Sequence, residues 1–160
     1  MAKFIQTIKL RNNPEVVNKF KLAYKIGKYT LSHAGFNFAF RNVNVDKYGL
    51  GYFPDVWVDE LCKDGLEAAK NGIWNPILGA GIDRGGDQDI GGVLWQDWKE
   101  LDPIAGINQI VGHTSGKTVR TKWEYFKSLD IESDNYCLDT NFHHVAILDS
   151  ETNELEIKEL

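Results

Sequence analysis

The spacing of apolar residues predicts two helices. Asn13-Pro14-Glu15 is typical of a helix start, with Asn as the cap and Pro at the first helical position. The apolar residues that follow at helical spacing are Val16, Val17, Phe20 and Tyr24, and Gly27 would end this helix as a C-cap glycine. A second amphipathic pattern predicts a helix from Pro54 to Lys70, with Gly72 as its stop.

Short apolar runs predict strands between and after these helices. The first two are Tyr29–Ser32 and Ile107–Val111, and "YCLD" is a third. Near the end of the chain, "HVAILD" and "ELEIKEL" flank "SETN", which has the composition of a hairpin turn. Because helices and strands mix, we expect an α/β or α+β layered fold, with residues 1–160 forming a single domain.

The stretch from Asn75 to Gly92 is rich in Gly and Asp and predicts a long loop. Loops of this length within a compact domain are usually functional or disordered. The segment "GVLWQDWKEL" comes next, and we expect three of its apolar side chains to be buried anchors: Leu94, Trp95 and Trp98.

Composition narrows the class of protein. The net charge of -5 argues against a broad nucleic-acid interface but leaves a phosphorylated small molecule or peptide possible as a ligand. No apolar run approaches the length of a membrane span, so no membrane partner is expected. The two cysteines, Cys62 and Cys137, form no disulfide framework and favour a cytoplasmic protein with free thiols.

Two of the four histidines stand in matching positions. His33 in "SHAG" and His113 in "VGHT" each follow a predicted strand and stand next to small residues. A lone histidine in such a place is more often a hydrogen-bonded loop residue, but the repeated context favours two metal ligands that converge on one pocket. His143 and His144 are adjacent and would point to opposite faces of a strand, so we interpret them as structural or surface residues.

Two further motifs suggest phosphate chemistry. Arg84 lies among glycines in "GIDRGGD" and is either a phosphate contact or a solvated loop arginine. "GHTSGKT" resembles a P-loop, but its glycines, Gly112 and Gly116, are separated by three residues instead of four. The following "VRTKWEYFKSL" could supply the helix that a P-loop needs, and we rank this nucleotide-binding alternative below the metal hypothesis.

The motifs "SHAG" and "IVGHT" together resemble the last two metal-binding motifs of the calcineurin-like metallophosphoesterases. That superfamily includes the serine/threonine protein phosphatases and similar bacterial and phage enzymes. "GGVLWQDW", "NYCLDT" and "HVAILD" also look like family segments, so the resemblance runs from about residue 29 to the C-terminus. It implies the C-terminal half of a β-sandwich flanked by helices and ending in a hairpin. It also implies that His33 and His113 bind one ion of a binuclear site of Mn, Fe, Zn or Ni that hydrolyses phosphomonoesters.

The chain departs from the family in its first half. The Asp-x-His, Gly-Asp-x-x-Asp-Arg-Gly and Gly-Asn-His-Asp/Glu motifs should precede His33, and none of them does. "GAGIDRG" imitates the second motif, but Ala80 stands where the bridging Asp should be. We therefore expect an isolated chain with weak or no activity, which a second chain carrying the missing motifs could complete. The alternative is a non-catalytic half or remnant that binds a partner chain.

Overall fold

The computed structural model describes residues 19–40, 54–127 and 130–160 of the chain. These residues form a mixed α/β structure with one α-helix, α1 (Pro54–Asn71), a five-stranded sheet and a two-stranded sheet. The strands of the larger sheet are β1 (Ala23–Ile26), β2 (Tyr29–Ser32), β3 (Asn108–Val111), β4 (Arg120–Phe126) and β5 (Ile131–Cys137). The smaller sheet consists of β6 (His144–Leu148) and β7 (Leu155–Glu159).

The larger sheet has the strand order β1-β2-β3-β5-β4. Its inner strands β2, β3 and β5 are parallel, and β1 and β4 pair antiparallel at the two edges. In β2 and β3, Tyr29 is opposite Asn108 and Leu31 is opposite Ile110. Since neighbouring parallel strands end at the same edge of a sheet, the residues that follow β2, β3 and β5 emerge side by side.

The main apolar core lies between α1 and the loops that connect the strands. Gly65 allows the close approach of α1, because a side chain there would meet the Cγ2 atom of Ile77 at 2.7 Å. Deeply buried core residues come from the helix, the loops and the strand ends: Leu22, Phe36, Phe40, Val58, Leu61, Ile77, Val93, Ile104 and Ile107.

The first predicted helix does not extend to Gly27, and the helix considered for the P-loop alternative is a strand. The pattern assigned to a helix ending at Gly27 contains β1, and Gly27 (φ 55°) lies in the turn between β1 and β2. The predicted start of that helix, residues 13–18, lies outside the described residues. The segment after Gly116 forms strand β4 instead of a helix, because its side chains alternate in exposure, as a two-residue period requires.

Most other predicted elements are confirmed. The strand Tyr29–Ser32, the helix from Pro54 and the terminal hairpin lie where the pattern put them, and the strand predicted to begin at Ile107 begins at Asn108. The predicted long loop contains two short 3₁₀ helices, Pro76–Leu78 and Ile82–Arg84. Among the described residues, no helix has both the length and the apolar character needed to cross a membrane.

Candidate metal centre

His33 and His113 lie next to each other at the edge where β2 and β3 end. The Nε2 atom of His33 and the Nδ1 atom of His113 are 2.8 Å apart, and the ring centroids are 4.6 Å apart. The backbone also joins the two loops, because the amide of Gly112 donates to the carbonyl of His33 at 3.0 Å. The prediction that the two imidazoles converge although 80 positions separate them is therefore confirmed; their metal binding stays a prediction.

Two fully buried glutamines hold the loop that carries His33. The Gln96 amide group donates to the carbonyls of Ala34 and Gly35 at 2.9 and 2.7 Å. Gln109 accepts from the Phe36 amide at 2.7 Å and donates to the Phe36 carbonyl at 3.0 Å. These bonds satisfy backbone groups that water cannot reach, and they fix the loop relative to β3.

The backbone at His113 forms a strained turn. Its φ angle is 66°, and the Thr114 amide donates to the Gly112 carbonyl at 2.8 Å. This combination describes a γ-turn of the rare positive-φ type. A non-glycine residue held in such a conformation costs about 1–3 kcal/mol, so surrounding contacts must stabilise the turn.

Arg84 contacts this turn directly. Its Nη2 atom donates to Thr114 Oγ1 at 2.6 Å and to the His113 carbonyl at 3.3 Å. The same nitrogen lies 2.9 Å from the Oδ2 atom of Asp97, and the two side chains are only 25% and 19% exposed. The alternative of a solvated loop arginine is therefore wrong, whereas a phosphate contact by Arg84 stays a prediction.

A second arginine, Arg120 in β4, contacts both the turn and the residues that follow β5. Arg120 Nη2 donates to the carbonyls of Thr114 and Asp139, the latter at 3.1 Å. Ser115 Oγ donates to Asp139 Oδ2 at 3.0 Å, and the Gly116 amide donates to the Asp139 carbonyl at 2.9 Å. Sequence reasoning did not place Arg120 or Asp139 beside the two histidines. The parallel pairing of β3 with β5, both ending at this edge, is the signal that could have found Asp139.

The local environment favours a neutral His33 imidazole. Partial burial lowers the pKa of His33, nearby Asp139 opposes this effect, and the charge of Arg84 adds to it. A lowered pKa leaves a nitrogen lone pair at neutral pH, which a metal ligand requires.

The Trp95 ring meets the His113 ring edge-on, at 5.4 Å between centroids. Of the three predicted anchors, Trp98 is buried, and Leu94 and Trp95 are partly exposed.

The two imidazoles are joined by a hydrogen bond, because 2.8 Å between His33 Nε2 and His113 Nδ1 is an ordinary hydrogen-bond distance. Two nitrogens on one tetrahedral zinc ion would lie about 3.3 Å apart, so metal binding would replace the shared proton and separate the two nitrogens by about 0.5 Å. A complete site needs at least a third ligand. The parts of the chain that the structure describes contain no group of three or more His, Cys, Asp or Glu residues that could hold a metal ion.

The remaining two histidines, His143 and His144, make their described contacts elsewhere in the protein. His143 is exposed, and His144 belongs to β6, where its amide donates to Thr140 Oγ1 at 3.1 Å.

Comparison with protein-family models, curated proteins and solved structures finds no match for this chain. The metal, its chemistry and the family resemblance therefore stay predictions.

Proposed function

We propose that this chain is part of a metal-dependent phosphoesterase of the calcineurin-like class, contributing two imidazole ligands to a binuclear site. The observation that carries the proposal is the 2.8 Å approach of His33 Nε2 to His113 Nδ1 at the ends of two parallel strands. The five-stranded sheet would be one layer of the family's β-sandwich. Mn, Fe, Zn and Ni all suit such a site, and the two free thiols favour a cytoplasmic location.

Two histidines alone would leave the metal site incomplete, because imidazoles carry no negative charge. A bound metal pair would supply an activated water molecule and a contact to the phosphate of a phosphomonoester, and His33 and His113 would hold one of its two ions. His33 and His113 would bind as neutral imidazoles, so they offset none of the charge of a dication. The described residues bring together no group of three or more possible ligands, so in this proposal the carboxylate ligands come from a second chain or from further sequence that carries the three absent motifs. A half-chain that binds such a partner without catalysis is the alternative within the same proposal.

Metal binding tests the proposal without requiring activity. We expect the chain to bind one Zn²⁺ or Co²⁺ ion weakly by isothermal titration calorimetry. His33→Ala and His113→Ala should each lower the affinity by about tenfold or more, because each removes a ligand. The matched control is His143→Ala, which removes an exposed imidazole elsewhere. Equal metal binding by all four proteins would rule out a site at this pair.

Nucleotide binding through "GHTSGKT" is a weaker second candidate. A P-loop surrounds a phosphate with free backbone amides and leads into a helix. Here the Thr114 amide donates to Gly112 and the Gly116 amide donates to Asp139, and a strand follows the loop. Two of the amides that would bind phosphate are therefore already engaged within the protein.

We accordingly expect no ATP binding at micromolar concentration. Titration with a fluorescent ATP analogue measures this directly, and Lys117→Ala is the variant that a P-loop would not tolerate. Micromolar affinity in the parent chain that is lost in Lys117→Ala would favour the nucleotide-binding function over the metal site.

A further inference from the structure

We propose that Arg84 is a positioning residue for His113: through Thr114 and Asp97 it holds the γ-turn that directs the His113 imidazole toward His33. Its consequence for metal affinity rests on the proposed function, whereas its consequence for the His113 backbone does not. This role differs from the phosphate contact predicted for Arg84 from its glycine-rich surroundings.

The guanidinium joins three separate segments of the chain at one nitrogen. Arg84 ends the 3₁₀ helix Ile82–Arg84, and Thr114 follows His113. Asp97 belongs to the segment "GVLWQDWKEL", residues 92–101, which we call the tryptophan segment. Thr114 Oγ1 also accepts from the Trp98 amide at 2.8 Å, so two donors from different segments meet on one hydroxyl oxygen. A charged donor strengthens such a bond, and the Asp97 carboxylate keeps the guanidinium in place.

The contacts fall on the part of the turn that needs stabilisation. Arg84 binds the carbonyl of His113 and the side chain of the next residue, on the C-terminal side of the positive-φ residue. Without these contacts, fewer bonds would hold the turn, chiefly those from Arg120 and the Trp98 amide to Thr114, and His113 would return more readily to an ordinary negative φ. The Cβ direction would then change, and the imidazole would leave His33. Arg84 therefore controls the ligand geometry through the backbone, without itself contacting the imidazole nitrogens in the contacts described above.

The chain offers a matched control for this ion pair. Asp83 and Lys99 form an ion pair, with 2.9 Å between Oδ1 and Nζ. Asp83 directly precedes Arg84, and Lys99 lies two residues after Asp97, so this pair joins the same two segments. None of the hydrogen bonds or ion pairs described for either side chain reaches His113 or Thr114. Asp83→Asn therefore weakens the link between the two segments and leaves the turn itself in place.

The test compares Arg84→Met, Arg84→Lys and Thr114→Val with Asp83→Asn. In the metal-free protein, the ¹³Cα and ¹³Cβ shifts of His113 report its positive φ, and a nuclear Overhauser effect reports the approach of the two imidazoles. We expect Arg84→Met and Thr114→Val to change both signals and to lower Zn²⁺ affinity about 10- to 100-fold. Arg84→Lys should restore part of each, because it keeps the charge but loses the fork. Asp83→Asn should match the parent protein.

The outcomes separate this inference from the proposed function. If the parent protein binds no Zn²⁺, the proposed function fails, while the shifts of His113 still decide the role of Arg84. Parent-like His113 shifts and an unchanged imidazole contact in folded Arg84→Met would overturn the positioning role. Such a result, with a phosphate-dependent shift of the Arg84 Nε–H in the parent protein, would favour the anion contact instead.

Discussion

The isolated chain is expected to hydrolyse a generic aryl phosphate with added manganese very slowly or not at all. Two-metal catalysis needs ligands for both ions, and the structure brings together two imidazoles, those of His33 and His113. The histidine that would act as general acid belongs to a motif the chain lacks, and such a group contributes typically about 10²–10⁴-fold in rate. Release of p-nitrophenol from its phosphate ester measures the activity.

Adding the missing motifs on a second chain tests the same prediction by restoring activity. A second chain carrying the Asp-x-His, Gly-Asp-x-x-Asp-Arg-Gly and Gly-Asn-His-Asp/Glu motifs should restore turnover when it is mixed with this one. His113→Ala should then abolish the restored activity, because one metal loses a ligand, while His143→Ala should leave it intact. Robust hydrolysis by the isolated chain, unaffected by changing His33 or His113, would show that the site lies elsewhere.

The sequence predicts the proximity of the two histidines because the information is local. Each histidine follows a short apolar strand, and in a parallel pair both strands end at one edge. The same reasoning succeeds for the helix that begins at Pro54 and for the terminal hairpin, whose turn and strand signals lie within a few residues. These features depend on periodicity and turn composition alone.

The surroundings of the pair could not be predicted in the same way. Arg84, Asp97 and Thr114 meet from three segments separated by 13 and 17 positions, and no periodic pattern connects them. The carboxylate of Asp97 binds Arg84 and is only 19% exposed, and nothing in its sequence context indicates this contact. Its role becomes visible only when the strand order of the sheet brings the His113 loop against the tryptophan segment.

The wrong helix assignment before Gly27 has a related cause. A four-residue strand such as β1 is too short for its own period to outweigh helical spacing in the residues around it. Gly27, predicted to be a helix C-cap, has the left-handed conformation that such a glycine often adopts, but that conformation serves a hairpin turn as well. Pairing with β2, a contact outside the local pattern, decides between the two.

The buried amides show how the fold stabilises the histidine loops with uncharged groups. Gln109 in β3 and Gln96 in the tryptophan segment have no exposed surface, and both bind the backbone between Ala34 and Phe36. An apolar side chain in either place would leave buried backbone groups without partners. These two positions therefore connect the stability of the fold to the position of His33.

Gln109→Leu should lower the free energy of unfolding by about 2–4 kcal/mol, since it leaves the buried amide and carbonyl of Phe36 unsatisfied. That loss is a large fraction of the stability of an ordinary domain, about 5–15 kcal/mol. Urea unfolding followed by tryptophan fluorescence measures it. Thr121→Leu, on the exposed face of β4, should change stability by no more than about 0.5 kcal/mol. In the folded fraction of Gln109→Leu, the imidazole contact between His33 and His113 should weaken, because the loop that begins at His33 loses its anchor on β3. A Gln109→Leu protein as stable as Thr121→Leu would show that this buried amide does not hold the loop.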